Sequence, residues 1–407
     1  LPLSTQMHFA QDTSMNRFAF GALALLLAAC FQASAQTCTG QVGHWRFDGN
    51  TLDSSGLANN GVFFGSTPNY VPGMAGQALE LNGSSDFVRV ANSPSLNPTG
   101  AMSLVAWVKP RTFSGSGSDP IIDKGYFSHT FPYYQYQLNV TGNLYPSGPG
   151  TFGFYCGASG SPFGASTGSN FWSPNQWYFV VGTYDGAAVR FFANGELVDE
   201  HPASGSLTDY GQPVQFGKFN NLDLYLPATI DEIRIFERAL SQDEIHALYS
   251  NPADAVAIWP PASGVCAGGS ASFQALHLAS TNPSYAWTID GSPASDGALS
   301  NGIIVSGSAT QTLTLSSIVG ASTYSIGCTV TSCSGVAAAT SATIKVCSAD
   351  FNCDAQVDDS DFVAFAAAYN ELIIPPADPL CDLNGDDVVD DSDFVLFAAS
   401  YDALICP

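Results

Sequence analysis

The chain has 407 residues, with 35 Asp or Glu against 11 Lys or Arg, a formal charge of −24. So acidic a chain argues against nucleic acid or an anionic membrane as partner, because neutralising phosphate takes basic side chains. The length predicts two to four domains. Residues 347–407 hold 14 of the acidic side chains and no Lys or Arg, a block that repels itself unless cations sit in it.

In chain order, Leu1 to Ser14 is polar, and Met15 to Gln36 reads as an export signal. Arg17 opens a short n-region, Phe18 to Ala29 is apolar, and Ala33-Ser34-Ala35 is a small-x-small cleavage site, so residues 1–35 are expected to be a leader. The apolar run is too short to span a bilayer as a helix. Leu27-Ala28-Ala29-Cys30 also resembles a bacterial lipoprotein box with Cys30 as the acylated residue; either way a secreted or cell-surface location is expected. Nine cysteines follow Cys30, an odd number without a Cys-x-x-Cys pair. Disulfides are therefore expected, with at least one thiol left over, rather than a zinc or thioredoxin-like site.

From 39 to 252 the pattern is short strands punctuated by Gly, Pro, Asn and Ser, which predicts an all-β sandwich. Strands are expected at Ala78–Leu81, Phe87–Val90, Ser103–Lys109 and Ile230–Phe236. Trp177 to Glu200 predicts a three-strand meander, with a turn at Tyr184-Asp185-Gly186 and a type I′ hairpin at Asn194-Gly195. Its first strand is apolar on both sides. One side is core, and the other is covered or lines a groove. Ser241-Gln242-Asp243-Glu244 is a capping box opening a short helix with Ile245, Leu248 and Tyr249.

Trp45-x-Phe47-Asp48, Asp53-Ser54-Ser55-Gly56, Leu81-Asn82-Gly83, Ser103 to Val108, Trp177 to Asp185, and Ile230 to Ile235 with Ala239-Leu240-Ser241 stand in order. Together they resemble the laminin G-like jelly roll of the concanavalin A-like lectin and glucanase superfamily. That resemblance implies a fold and leaves the ligand open, since the superfamily hosts lectins, adhesion modules and hydrolases. Relatives with a calcium ion between the two ends of the module imply Asp48 and Asp231 as its ligands. A retaining glycosidase needs two carboxylates about 5 Å apart, and the acidic strand Asp231 to Glu237 lacks the glucanase spacing. Gly164-Ala165-Ser166-Thr167-Gly168 satisfies G-x-S-x-G but reads as a loop without the strand and helix of a nucleophile elbow. No catalytic residue is assigned. Binding is the better expectation: the aromatic stretch Tyr126 to Tyr136 offers Tyr126, His129, Phe131, Tyr133 and Tyr134 for stacking on sugar C–H faces.

Residues 255–346 have fewer aromatics, with strands expected at Ala271–Ala275, Tyr285–Ile289, Thr312–Leu315, Tyr324–Val330 and Ala342–Val346. Trp287 and Tyr324 stand where an immunoglobulin-like sandwich places its buried Trp and its tyrosine corner, and the segment resembles that fold. Its inter-sheet disulfide is replaced by Phe273, Ala275 and Ile326. Cys266 is expected to pair with Cys333 or Cys328.

Residues 347–407 repeat with an offset of 32 residues. Asp350, Asn352, Asp354, Gln356, Asp358 and Asp361 align with Asp382, Asn384, Asp386, Val388, Asp390 and Asp393. Oxygen ligands in that spacing, with a backbone carbonyl at the seventh position, suit Ca²⁺. Each loop leads into a helix, where Phe362, Phe365 and Tyr369 or Phe394, Phe397 and Tyr401 recur at helical spacing. The segment resembles a dockerin type I repeat pair, which implies a cohesin-like protein partner; a free-standing calcium-stabilised end cap is the alternative. The sixth loop position, usually Gly, is Ala355 or Asp387. Asp tolerates left-handed geometry better, which favours the second loop. Four cysteines here allow three pairings; Cys347 with Cys406, which would clamp the ends of the pair, and Cys353 with Cys381 are the expected disulfides.

The expected fold class is thus mainly β: a concanavalin A-like jelly roll, an immunoglobulin-like sandwich, then a small α dockerin-like double calcium-loop module. The expected function is that of a non-catalytic carbohydrate- or matrix-binding protein with a calcium-binding docking module. A polysaccharide hydrolase and a structural cell-surface protein without glycan binding are the alternatives.

Overall fold

The computed structural model describes residues 39–112, 118–126, 132–141, 150–220, 222–266, 268–278, 282–318, 323–332, 335–338, 341–353, 356–374 and 377–401. The expected leader and Cys30 lie outside them. The first fifteen strands are β1 (Gln41–Trp45), β2 (Gly61–Phe64), β3 (Asn69–Pro72), β4 (Gln77–Glu80), β5 (Phe87–Val90), β6 (Met102–Pro110), β7 (Ser118–Gly125), β8 (Tyr134–Thr141), β9 (Thr151–Ala158), β10 (Ser161–Ser166), β11 (Tyr178–Tyr184), β12 (Ala188–Ala193), β13 (Glu196–Pro202), β14 (Val214–Phe216) and β15 (Ala228–Phe236). They form two antiparallel sheets. One has the order β13-β12-β11-β6-β15-β4-β3, with β1 also on β15; the other is β10-β9-β8-β7-β14-β5-β2.

Strand alternation decides what faces inward. Leu104, Ala106, Val180 and Phe191 of the first sheet meet Tyr136, Leu138, Phe152, Phe154 and Phe216 of the second in one buried core. The meander forms as its turns require, with Asn194 at φ 52° and Gly195 at φ 91° between β12 and β13. Its second apolar side is covered rather than open. Val105, Trp107, Phe179 and Val181 pack under Leu240, Ile245 and Leu248. The helix Gln242–Ser250 carries the last two and begins at the expected capping box, Ser241 and Glu244 each accepting the other's backbone N–H. Asp231 and Glu232 do not follow simple alternation, because a bulge falls between Asp231 and Arg234 and Glu232 sits at φ 49°. Glu232 is buried and bonds His44 at 2.6 Å and Arg234 at 2.7 Å, tying β1 to β15.

Residues 256–347 build a second two-sheet sandwich. The strands Val256–Trp259, Gly269–His277, Thr312–Ile318, Ile304–Ser306 and Gly297–Ala298 form one sheet. Ala262–Cys266, Ala342–Cys347, Thr323–Ser332, Ser284–Ile289 and Ser292–Pro293 form the other, with Gly335–Ala338 beside Thr323–Ser332. Trp287 is buried in its core with Phe273, Ala275 and Ile326, so apolar packing spans the two sheets. Cys328, opposite Trp287, is a free buried thiol. The helix Gln242–Ser250 is shared with this sandwich through Ala247, which packs on Ala257 and Leu276.

The tail has two helices, Asp359–Tyr369 and Asp391–Tyr401. Phe365 and Phe397 stack between them with centroids 5.1 Å apart. The pairing is two-fold: Tyr369 donates to Asp391 Oδ1 at 2.5 Å and Tyr401 to Asp359 Oδ1 at 2.6 Å. Among the described residues no helix is long and apolar enough to cross a membrane.

The disulfides differ from expectation. Cys266 bonds Cys353, 87 residues later, and not Cys333 or Cys328. Cys381, the expected partner of Cys353, is a free thiol that burial pushes up to about 12. The cause is a parallel strand pair that sequence spacing does not reveal. Ala262–Cys266 runs beside Ala342–Cys347 with Cys266 opposite Cys347, so the chain enters the tail next to Cys266. Cys347 is disulfide-bonded, while Cys333 and Cys406 lie outside the described residues.

Candidate functional site

The seven-stranded sheet has one face in the core and one turned away from it. On β8 the side chains alternate: Tyr136, Leu138 and Val140 go inward, so Gln137 and Asn139 go outward. Register then lines up one residue from every strand across the outer face. Val62 stands opposite Arg89, Arg89 opposite Gln215, Gln215 opposite Asp123, Asp123 opposite Gln137, Gln137 opposite Tyr155, and Tyr155 opposite Gly164. At ordinary strand spacing the run from Arg89 to Tyr155 is about 19 Å.

The middle of this row is a directed hydrogen-bond relay. Asp123 is fully buried, and burial pushes its carboxyl up to about 6. It accepts from Gln137 Nε2 at 2.6 Å and from the Asn220 backbone N–H at 2.8 Å. A carboxylate accepts only, so Gln137 must turn its N–H₂ toward it and its oxygen away. That oxygen accepts from Asn139 Nδ2 at 2.8 Å, which leaves Asn139 Oδ1 at the end without a partner among the described residues. A second relay has the same sense. The Pro213 carbonyl accepts from Asn220 Nδ2 at 2.9 Å, Asn220 Oδ1 accepts from Gln215 Nε2 at 2.7 Å, and Gln215 Oε1 is left unmatched among the described residues. Both loose ends are therefore acceptors, on residues almost wholly buried.

Beside the relay lies a flat aromatic. The Tyr155 ring rests on two glycines: a Cβ at Gly164 would come within 2.3 Å of its Cδ1, and one at Gly153 within 2.7 Å of its Cε2. Removing those Cβ atoms lets the ring lie along the sheet. The G-x-S-x-G stretch is thus no loop: Gly164 to Ser166 belong to edge strand β10, where Gly164 makes room for a ring.

Of the aromatics singled out in the sequence, Tyr134 stands next to Tyr155, ring centroids 6.1 Å apart, and Tyr133 is exposed. Tyr126 is buried against Tyr210, out of a ligand's reach, and His129 and Phe131 lie outside the described residues. The amide relay was not anticipated. The signal was there in Gln137-Leu138-Asn139, where amides rather than charges alternate with core residues.

Asp48 and Asp231 both hold the turn between β3 and β4. Asp231 Oδ2 accepts from the Met74 and Ala75 N–H groups at 2.7 and 3.2 Å, and Asp48 Oδ1 from Gln77 N–H at 2.7 Å. Burial pushes the Asp231 carboxyl up to about 7.

In the tail's second loop, Asp382, Asp386 and Asp393 each bring a carboxylate oxygen to within 4.8 Å of the others. Asp393, fully buried, also accepts from the Leu383, Asn384 and Asp390 N–H groups. Asp361 repeats this in the first loop, with Phe351, Asn352 and Asp358; Asp354 lies outside the described residues. Left-handed backbone falls at the fourth position of both loops, Cys353 at φ 63° and Gly385 at φ 80°, as well as at Asp387 with φ 66°. An all-oxygen set of three carboxylates fits a hard divalent cation such as Ca²⁺.

Residues 82–246 match the concanavalin A-like lectin/glucanases superfamily. No curated protein matches the chain. Among solved structures, domain 4 of AbnA, a GH43 extracellular arabinanase from Geobacillus stearothermophilus in complex with arabinotriose, is 22% identical, over 51% of this chain and 98% of that one, with a TM-score of 0.41. The binding domain of Paraclostridial Mosquitocidal Protein 1 is 12% identical, over 73% and 87%, with a TM-score of 0.44. Trypanosoma rangeli sialidase in complex with the inhibitor DANA is 17% identical, over 51% and 32%, with a TM-score of 0.37. Likeness at this level carries no functional argument.

Proposed function

We propose that the chain is a non-catalytic carbohydrate-binding protein whose ligand lies across the outer face of the seven-stranded sheet. The observation that carries this is the half-buried Tyr155 ring laid flat on Gly153 and Gly164 at one end of the row across that face, with Tyr134 next to it. Its face suits the C–H side of a sugar ring, and the exposed Tyr133 precedes Tyr134 in the chain. Asp123 is the one carboxylate in the row, whereas glycoside hydrolysis of the usual kind takes two.

The chain is exported, with Cys30 as the lipid attachment point if it is a lipoprotein. The second sandwich is an immunoglobulin-like spacer. The tail is a dockerin-like module that binds two Ca²⁺ ions, one through Asp350, Asn352, Asp354, Gln356, Asp358 and Asp361, and the other through Asp382, Asn384, Asp386, Val388, Asp390 and Asp393. Through it the protein docks to a cohesin-like partner. A further Ca²⁺ between Asp48 and Asp231 would relieve the burial of the Asp231 carboxylate.

A panel of polysaccharides screened for both binding and hydrolysis tests the proposal. Binding without turnover, lost in Tyr155→Ala, is expected. Turnover would favour a hydrolase, and silence across the panel a structural surface protein.

A further inference from the structure

The row that ends at Tyr155 on one side ends on the other in a different platform, and its chemistry narrows the ligand. Arg89 follows Gln215 directly in the row. Its guanidinium lies 5.1 Å from the Phe64 ring centroid and 5.5 Å from that of Phe87, two rings stacked at 4.9 Å. Lys218 reaches the same Phe87 ring at 5.8 Å and Tyr225 at 5.2 Å. Lys218 is matched by Asp223 at 3.2 Å. Arg89 is exposed and has no carboxylate partner among the described residues, in a chain with 35 acidic side chains to choose from. Arg111, Arg190, Arg234 and Arg238 each found one.

Resting on the glycan-binding reading of this face, we propose that its ligand is a polysaccharide carrying carboxylates, a uronate, with one carboxylate seated on Arg89. The guanidinium lies against two rings and makes no side-chain hydrogen bond among the described residues, and its planar fork matches a planar carboxylate through two parallel bonds. Charge sets the upper limit: a protein at −24 repels a densely charged polymer, so one carboxylate per sugar suits this face better than several sulfates. The spacing of about 19 Å between the two platforms calls for an extended oligosaccharide and not a single sugar.

The test uses the full chain with polygalacturonate oligomers, the same oligomers after carboxyl reduction, neutral glycans and a polysulfated glycan. Arg89→Gln and carboxyl reduction are each expected to weaken uronate binding by about tenfold or more. Arg89→Lys should fall between, since it keeps the charge and loses the fork, and both variants should unfold at the wild-type midpoint. Binding of reduced or neutral glycans as tight as that of the uronate, still lost in Tyr155→Ala, overturns the carboxylate and leaves the site standing. Preference for the polysulfated glycan overturns it too. Failure of every glycan to bind removes the site and the inference together.

Discussion

Asp123→Asn tests the relay without any ligand. Burial holds the carboxyl at about 6 in the native protein against an ordinary 3.8. Between those values the native state keeps a proton that the unfolded chain has given up, so unfolding releases protons. The sign follows: the native state is least burdened by Asp123 below about pH 4, and it loses stability as the pH climbs through 6. A rise of about two units corresponds to roughly 3 kcal/mol. Replacing the carboxylate by an amide abolishes that pH-dependent part. It also adds a constant cost, because only one side-chain oxygen remains for Gln137 and Asn220. Urea unfolding followed through Trp45, Trp107, Trp172 and Trp177, all in this sandwich, should show wild type losing roughly 3 kcal/mol more than the variant between about pH 4 and pH 8. Stability curves that stay parallel over that range would refute the buried-relay argument, since an exposed or water-solvated Asp123 has no such difference to lose.

Gly164→Ala touches no ligand, yet its Cβ would stand 2.3 Å from Tyr155 and 3.1 Å from the Phe154 carbonyl, so the ring must lift. Affinity for a bound glycan should fall about 2- to 10-fold, as in Tyr155→Ala, and titration calorimetry should find the two changes non-additive; additive losses would count against the platform. Changing both Cys266 and Cys353 to Ser removes a link that spans 87 residues, worth about 4–5 kcal/mol by chain entropy. Guanidinium unfolding under oxidising conditions should show that loss, and an unchanged midpoint would mean the link does not hold the tail to the second sandwich. In the tail, Asp393→Asn should lower the calcium stoichiometry measured by calorimetry by one site. Chelating calcium from wild type that was held at a hundredfold excess over its Kd should cost about 2.7 kcal/mol per site, roughly 5.4 kcal/mol for the two. A melting curve indifferent to EDTA would show that the loops are empty.

Local rules made much of the fold legible. Asn194-Gly195 has one good backbone solution, and Ser241 with Glu244 satisfies a helix start by itself, so both formed where the sequence put them. The tail helices were legible because the repeated phenylalanines left each helix one face to bury. What escaped were consequences of pairing between distant strands. Cys266 meets Cys353 only because a parallel pair sets Cys266 beside Cys347. The polar row draws its seven residues from strands spread between 61 and 166 and at 214–216, and no window of sequence contains it. Glycine misled in the other direction. Gly164 looked like loop punctuation, whereas in an edge strand it is the space a ring occupies.

The direction of the relays is set by their anchors and not by their composition. A primary amide presents a donor and an acceptor of nearly the same shape, so a row of Gln and Asn alone has no fixed sense. Here each relay starts from a group that can only accept, the Asp123 carboxylate or the Pro213 carbonyl, and every amide downstream is turned by it. The open ends at Asn139 and Gln215 are acceptors for that reason. In Asp123→Asn the anchor can donate as well as accept. Gln137 and Asn139 are then free to reverse, and the open end on that side becomes an N–H₂. The Gln215 end, anchored by the Pro213 carbonyl, keeps its sense.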